Sequence, residues 1–137
     1  MTDGSDGLAD ESLQRALRRG HTIDITTTGR RSGQPRRIEI VFHNFDGRIY
    51  ITGRPSRQTR AWIHNLEADP RFTFHLKGAV RADLPATARI ITDESERRDV
   101  FRKVITVWAT QDLETMTSFS PLIEVEFERD REPATPS

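Results

Sequence analysis

Thr26-Thr27-Thr28-Gly29-Arg30-Arg31-Ser32-Gly33-Gln34-Pro35-Arg36-Arg37 reads as the end of one β-strand, a turn bracketed by two glycines, and the start of a second strand. The β-branched threonines favour an extended chain up to Gly29. The glycines permit backbone conformations that other residues avoid and let a ligand come close to the main chain. Four arginines and a serine hydroxyl within the same dozen residues supply donors that match phosphate or carboxylate oxygens. By itself the stretch is either a hairpin with solvated arginines or a turn that holds an anion, so its surroundings have to decide.

Working outward, the chain alternates with period two on both sides of this turn. Residues 21–28 are rich in Ile and Thr, and residues 37–45 set Ile38, Ile40 and Phe42 against Arg37, Glu39, Val41 and His43. Asp46-Gly47 is a tight-turn pair that joins the second strand to a third over 48–53, so the segment 21–53 is expected to be a three-stranded meander. Residues 54–58 are turn-forming and basic. Thr59 is expected to cap a short helix, with Trp62, Ile63 and Leu66 on one face, that stops near Asp69-Pro70. Strands are expected at 71–77 and, after Gly78, at 80–92 with a bend or bulge at Leu84-Pro85. Asp93 opens the longest helix, expected over 93–109, with Val100, Val104, Val107 and Trp108 as its apolar stripe. A last strand, 122–128, alternates strictly after Pro121.

At the N-terminus, Leu13, Ala16 and Leu17 give a short amphipathic helix that Asp10 or Ser12 can cap and Gly20 ends. Residues 1–10 and 131–137 are small, polar and charged, and are expected to be disordered tails around one domain over 11–130. The sum is an α+β domain whose mostly antiparallel six-stranded sheet closes into a small barrel with two to three helices.

Charge is distributed unevenly. Of 137 residues, 21 are basic and 21 acidic, yet the segment 26–65 holds eight arginines against Glu39 and Asp46. Acid collects toward the two ends instead. A local basic patch on a neutral protein is the implication, rather than a nucleic-acid-binding surface, which would also need exposed aromatics for stacking. The absence of cysteine removes disulfides and thiolate chemistry. His21, His43, His64 and His75 lack the spacing and company of a metal site. No P-loop, nucleophile elbow or Rossmann glycine pattern is present, and no apolar run is long enough for a transmembrane segment. A cytoplasmic chain is expected, with peripheral membrane association left open.

Three blocks in order, Thr-Thr-Gly-Arg-Arg-Ser-Gly-Gln-Pro-Arg at 27–36, Asp-Gly-Arg-Ile-Tyr-Ile at 46–51 and Ala-Trp-Ile-His-Asn-Leu-Glu-Ala-Asp-Pro-Arg at 61–71, resemble the deazaflavin-dependent nitroreductase family, also called the F420H2-dependent quinone reductase family. The resemblance implies a split β-barrel similar to flavin-binding oxidases. It also implies a turn that grips the phosphate and acidic tail of the deazaflavin coenzyme F420, with FMN as the alternative cofactor. Arg31 and Arg36 match the family's phosphate- and tail-binding positions, and Arg30, Ser32 and Gly33 shape the turn around them. Arg37 and Ile38 begin the strand on which the ring lies, Gly53 and Arg54 match a second basic loop, and Trp62 matches the aromatic that opens the following helix.

The chain departs from that pattern in two places. The segment 53–61 is several residues shorter than the family's usual loop, and Tyr50 is the single tyrosine, so the tyrosines that line the nitroimidazole pocket of some members are absent. The implied reaction is hydride transfer from reduced F420 to a small-molecule electron acceptor such as a quinone or enone, with no catalytic residue assigned beyond His43 or Tyr50 as candidate proton donors. A homodimer is compatible with the resemblance. The alternative is a non-catalytic flavin-, heme- or lipid-binding protein of the same fold.

Overall fold

The computed structural model describes residues 3–19, 22–78 and 80–128 and, in the first helix, side chains from Glu11 onward. The elements follow as α1 Asp3–Arg19, β1 Thr22–Thr28, β2 Pro35–Phe45, β3 Arg48–Thr52, α2 Ala61–Ala68, β4 Arg71–Leu76, β5 Ala82–Ile90, α3 Glu94–Val107, α4 Leu113–Phe119 and β6 Leu122–Phe127. The strands close into a barrel in the order β1-β2-β3-β6-β5-β4, and every neighbouring pair is antiparallel. The six strands and the 21–53 meander are therefore as the alternation predicts.

Alternation decides what fills the barrel. Directly opposed residues share a face, so the pairs Ile23 with Ile40 and Ile25 with both Ile38 and Phe74 turn one side of β1, β2 and β4 inward. Phe42 of β2, Phe74 of β4 and Phe127 of β6 meet across the lumen. The Phe74 ring stands edge-on to each of the other two at 5.1 Å between centroids. Three strands that are not neighbours in the sheet are thus tied through its centre, and Phe74 is fully buried there.

A second apolar cluster lies outside the barrel wall, where Val100, Phe101 and Val104 of α3 and Met116 of α4 pack on Tyr50, Ile91 and Leu122. Asp93 caps α3 by accepting from the Glu96 amide, as its position predicts. Sequence spacing predicts Val107 on the apolar stripe, but it is 63% exposed. Val107 shares the angular position of Val100 seven residues earlier, but it is the last residue of α3, one turn beyond the buried residues Val100, Phe101 and Val104.

Four helices occur among the described residues rather than two or three. The additional one is α4, capped by Asp112 through the Thr115 amide. Three smaller differences have local causes. Helix α1 starts at Asp3, well before Asp10, with its acid-rich half first and Arg18 and Arg19 in its last turn, the order the helix dipole favours. Helix α2 is preceded by extended Arg60, not capped by Thr59, and has no side-chain cap bond. No bulge interrupts the β4–β5 register, where Pro85 sits opposite Thr73 in a continuous ladder. Residues 131–137, read as a tail, lie outside the described residues. Among those described, no helix is long and apolar enough to cross a membrane.

His43 lies on the outer face of β2, 8% exposed, stacked on Phe45 and edge-on to Trp108, with its Nε2 buried and unpartnered. Burial pushes its pKa down to about 4. The folded protein therefore keeps this ring neutral where an unfolded chain would already protonate it. Stability should be fully present above pH 6.5 and should fall by about 3 kcal/mol as the pH drops from 6.5 toward 4. Urea unfolding across that range should show the slope, and His43→Phe should flatten it. In the barrel, Phe74→Ala should cost about 3–5 kcal/mol by the same measurement, because a centrally packed ring is lost from a site that cannot collapse easily.

Candidate cofactor site

The turn between β1 and β2 is held by its own backbone. The Gly29 amide donates to the Gln34 carbonyl at 2.8 Å, the Gly33 amide to the Gly29 carbonyl at 2.9 Å, and the Gln34 amide to Ser32 Oγ at 3.0 Å. Gly33 has φ +70°, in the left-handed region that glycine adopts without strain. Gly29 is required for a different reason: a Cβ there would stand 2.7 Å from Ser32 Oγ and 3.2 Å from the Gln34 carbonyl oxygen. The loop is compact because both positions lack a side chain.

A buried asparagine on α2 fixes this turn in space. Asn65 accepts from the Arg30 amide through Oδ1 at 3.0 Å and donates through Nδ2 to Thr27 Oγ1 at 3.1 Å. Helix α2 therefore rests against the turn by two directional bonds in a site where water does not compete. Asn65 lies within the Ala-Trp-Ile-His-Asn-Leu block, and the sequence resemblance gives it no role. The available signal was its spacing: three residues after Trp62 and one before Leu66, a polar side chain on a helix face that must be buried.

Between turn and helix lies a cavity of about 360 Å³, lined by Arg30, Arg31, Ser32 and Arg36 on the turn side and by Ile38, Ala61, Trp62 and Asn65 on the barrel and helix side. Among the described residues none of Arg30, Arg31 and Arg36 is engaged in an ion pair. Three arginines without an ion pair among the described residues thus line one concavity, and the uncapped start of α2, whose first residues Ala61 and Trp62 line it, adds the positive end of a helix dipole. Ile38 and Trp62 contribute an apolar wall beside this charge. The combination fits a ligand with an anionic end and a flat apolar body, which is the chemistry of a phosphorylated deazaflavin.

Six of the ten residues expected from sequence come together here: Arg30, Arg31, Ser32, Arg36, Ile38 and Trp62. The other four are placed elsewhere. Gly33 lies at the far side of the turn and lines a neighbouring hollow with Thr26 and Pro35. Arg37 follows Arg36 on β2 and so turns to the outer face, where it donates to Asp24 at 2.9 Å. Lys77 bonds the same carboxylate at 2.8 Å, and these two donors hold the Asp24 carboxyl below its ordinary pKa. Gly53 is buried against Pro121 and Ile40, leaving 3.2 Å between a built Cβ and the proline ring. Arg54 is exposed, and its carbonyl accepts from Arg60. Neither His43 nor Tyr50 lines the cavity; both lie on the outer wall by α3. Burial raises the Tyr50 pKa, which leaves a neutral phenol.

Asn65→Ala should cost about 1–3 kcal/mol in urea unfolding, since it leaves the Arg30 amide and the Thr27 hydroxyl without partners. Asn65→Asp should recover part of the loss through its acceptor oxygen.

The comparisons with known proteins fit this geometry. The family model described as F420H(2)-dependent quinone reductase matches residues 9–127. Among solved structures, an F420-H2 dependent reductase is similar at 24% identity, over 77% of this chain and 93% of that one, with a TM-score of 0.56. A Clostridium acetobutylicum protein related to general stress protein 26, of the pyridoxinephosphate oxidase family, gives 11% identity over 89% and 84% of the two chains and a TM-score of 0.67. A further structure, described as a domain-swapped dimer, gives 20% identity over 89% and 99% with a TM-score of 0.59. The barrel is thus the split β-barrel of the pyridoxamine oxidase-like folds, and the match over nearly the whole described chain carries the assignment: this protein belongs to the F420H2-dependent quinone reductase family, a family of oxidoreductase enzymes.

Proposed function

We propose that the protein transfers a hydride from reduced coenzyme F420 to a small hydrophobic acceptor of the quinone or enone class, with the coenzyme seated in the cavity between the β1–β2 turn and α2. The observation that carries this reading is the set of three arginines free of ion pairs around one hollow with an apolar wall. Arg31 and Arg36 hold the phosphate and the acidic tail, Arg30 and the turn backbone complete the anion cradle, and Ile38 and Trp62 support the ring and exclude water. When bound, the reduced deazaflavin supplies the hydride, and a proton from solvent completes reduction of the acceptor. The chain's own part is to bind, orient and shield. It holds no activated nucleophile among the described cavity residues, so no covalent protein intermediate belongs to the reaction.

Gly53 and Arg54 stand on the neighbouring loop, where a Cβ built on Gly53 would stand 3.7 Å from the side chain of Ile40, two residues beyond Ile38 on the same face of β2. In this reading the loop continues the apolar wall and borders the ring edge. A homodimer goes with this reading.

Fluorescence titration with F420 and with FMN tests the binding step. Arg31→Ala and Arg36→Ala should each weaken F420 binding about 10- to 100-fold, as loss of a charge-assisted contact does. Arg37→Ala should change it less than about threefold, because Asp24 already engages that side chain. Oxidation of reduced F420 is then followed against quinones, enones and nitroaromatics. Turnover with quinones or enones is expected and little with nitroimidazoles. Tight binding without turnover of any acceptor would convert the protein to a coenzyme carrier.

A further inference from the structure

A second, larger cavity of about 470 Å³ opens on the opposite side of α2, between the 56–60 loop, the end of β5 and the segment from α4 into β6. The two hollows are separated by the helix itself: Ala61, Trp62 and Asn65 face the turn, whereas Arg60, Ile63 and Glu67 face this one. Its charge is again one-sided. Arg57, Arg60 and Arg97 line it against the single carboxylate of Glu67, and that carboxylate is bonded to His64 at 3.0 Å.

Arg97 is unusual. Its guanidinium donates to the carbonyls of Thr117 at 2.8 Å, Ile91 at 3.0 Å and Ser120 at 2.6 Å, and no carboxylate neutralises it among the described residues. Burial holds its pKa below the ordinary guanidinium value. It therefore braces the α4–β6 corner and leaves a desolvated positive charge at the cavity wall, a state stabilised by an anion. Two polar atoms at the same wall have no partner. Ser120, 3% exposed, has a buried free Oγ, and Arg60 has a buried free Nε while its Nη2 bonds the Arg54 carbonyl. Buried polar atoms without partners are rare in folded proteins, and two of them at the wall of an arginine-lined hollow mark a place for a ligand.

The remaining wall is apolar, made by Ile63, Ile91, Leu122 and the exposed ring of Phe119, over which Arg57 lies at 5.7 Å. The size is that of a small-molecule site. With Arg97 already engaged by carbonyls, Arg57, Arg60 and Ser120 are the groups left at this wall, and beside the apolar surface they suit one carboxylate carried on a ring. We propose that this cavity is a binding site for a small organic monoanion, a carboxylate carried on an apolar ring, distinct from the turn cavity. The site requires no coenzyme and stands whether or not F420 binds across the helix.

Calorimetric titration of the full chain with 2-naphthoate and with the neutral 2-naphthalenemethanol tests it. Naphthoate should bind at least about tenfold more tightly than the alcohol. Ser120→Ala and Arg57→Gln should each weaken it about five- to tenfold, and Arg31→Ala should leave it unchanged. Circular dichroism confirms that each variant is folded. Equal affinity for acid and alcohol, no binding of either, indifference to both substitutions, or loss on Arg31→Ala would overturn the proposal, the last by placing the anion in the turn cavity.

Discussion

Everything in this protein hangs on closure of the sheet, and closure hangs on the pairing of β4 back onto β1. Asp24, Ile25 and Thr26 meet His75, Phe74 and Thr73, which removes the last free edges and turns Phe74 into the lumen. There its ring meets Phe42 and Phe127, so that β2, β4 and β6 are tied through the centre while their neighbours are tied through the backbone. A barrel closed in this way has no open edge to pair with another chain and can do without cysteine or metal.

The site follows from that closure. Since β1 and β2 are wall strands, the turn between them projects from one end of the barrel, and α2, the connection from β3 to β4, has to cross the same end. Asn65 converts this proximity into a fixed geometry by bonding both the Arg30 amide and Thr27. The arginines are then held close together by a short loop and a rigid helix, with their mutual repulsion left uncompensated. Such an arrangement costs stability, and an anionic ligand offsets it. Arg37 shows the contrast: one residue further along β2 it reaches the outer face and is neutralised by Asp24.

The two cavities flanking α2 illustrate how one short helix organises two environments. On one side the charge is carried by free, exposed arginines of a turn. On the other it is carried by a half-buried Arg97 whose donors are taken up by main-chain carbonyls and by Arg60, whose Nε is left without a partner. The 53–61 loop lies across the second side, with Arg60 bonding back to Arg54 and the Ser56 amide to the Phe119 carbonyl.

The sequence by itself determined the strands, because alternation with period two is a local property, and it determined α3, because Asp93 and a four-residue apolar spacing mark its start and face. It also located the turn, since two glycines around clustered arginines have few other uses. It did not reveal α4, whose seven residues carry too short a pattern to stand out, nor that Val107, at the end of α3, is exposed. Which arginines share a cavity was decided by the tertiary structure. Arg36 and Arg37 are indistinguishable as letters, and only the side of β2 each one faces, set by the register of β1 on β2, sends one to the site and the other to Asp24. Asn65, His43 and Arg97 were likewise undecided, because burial and the partners that meet a polar group are properties of packing between distant segments and leave no local trace in the chain.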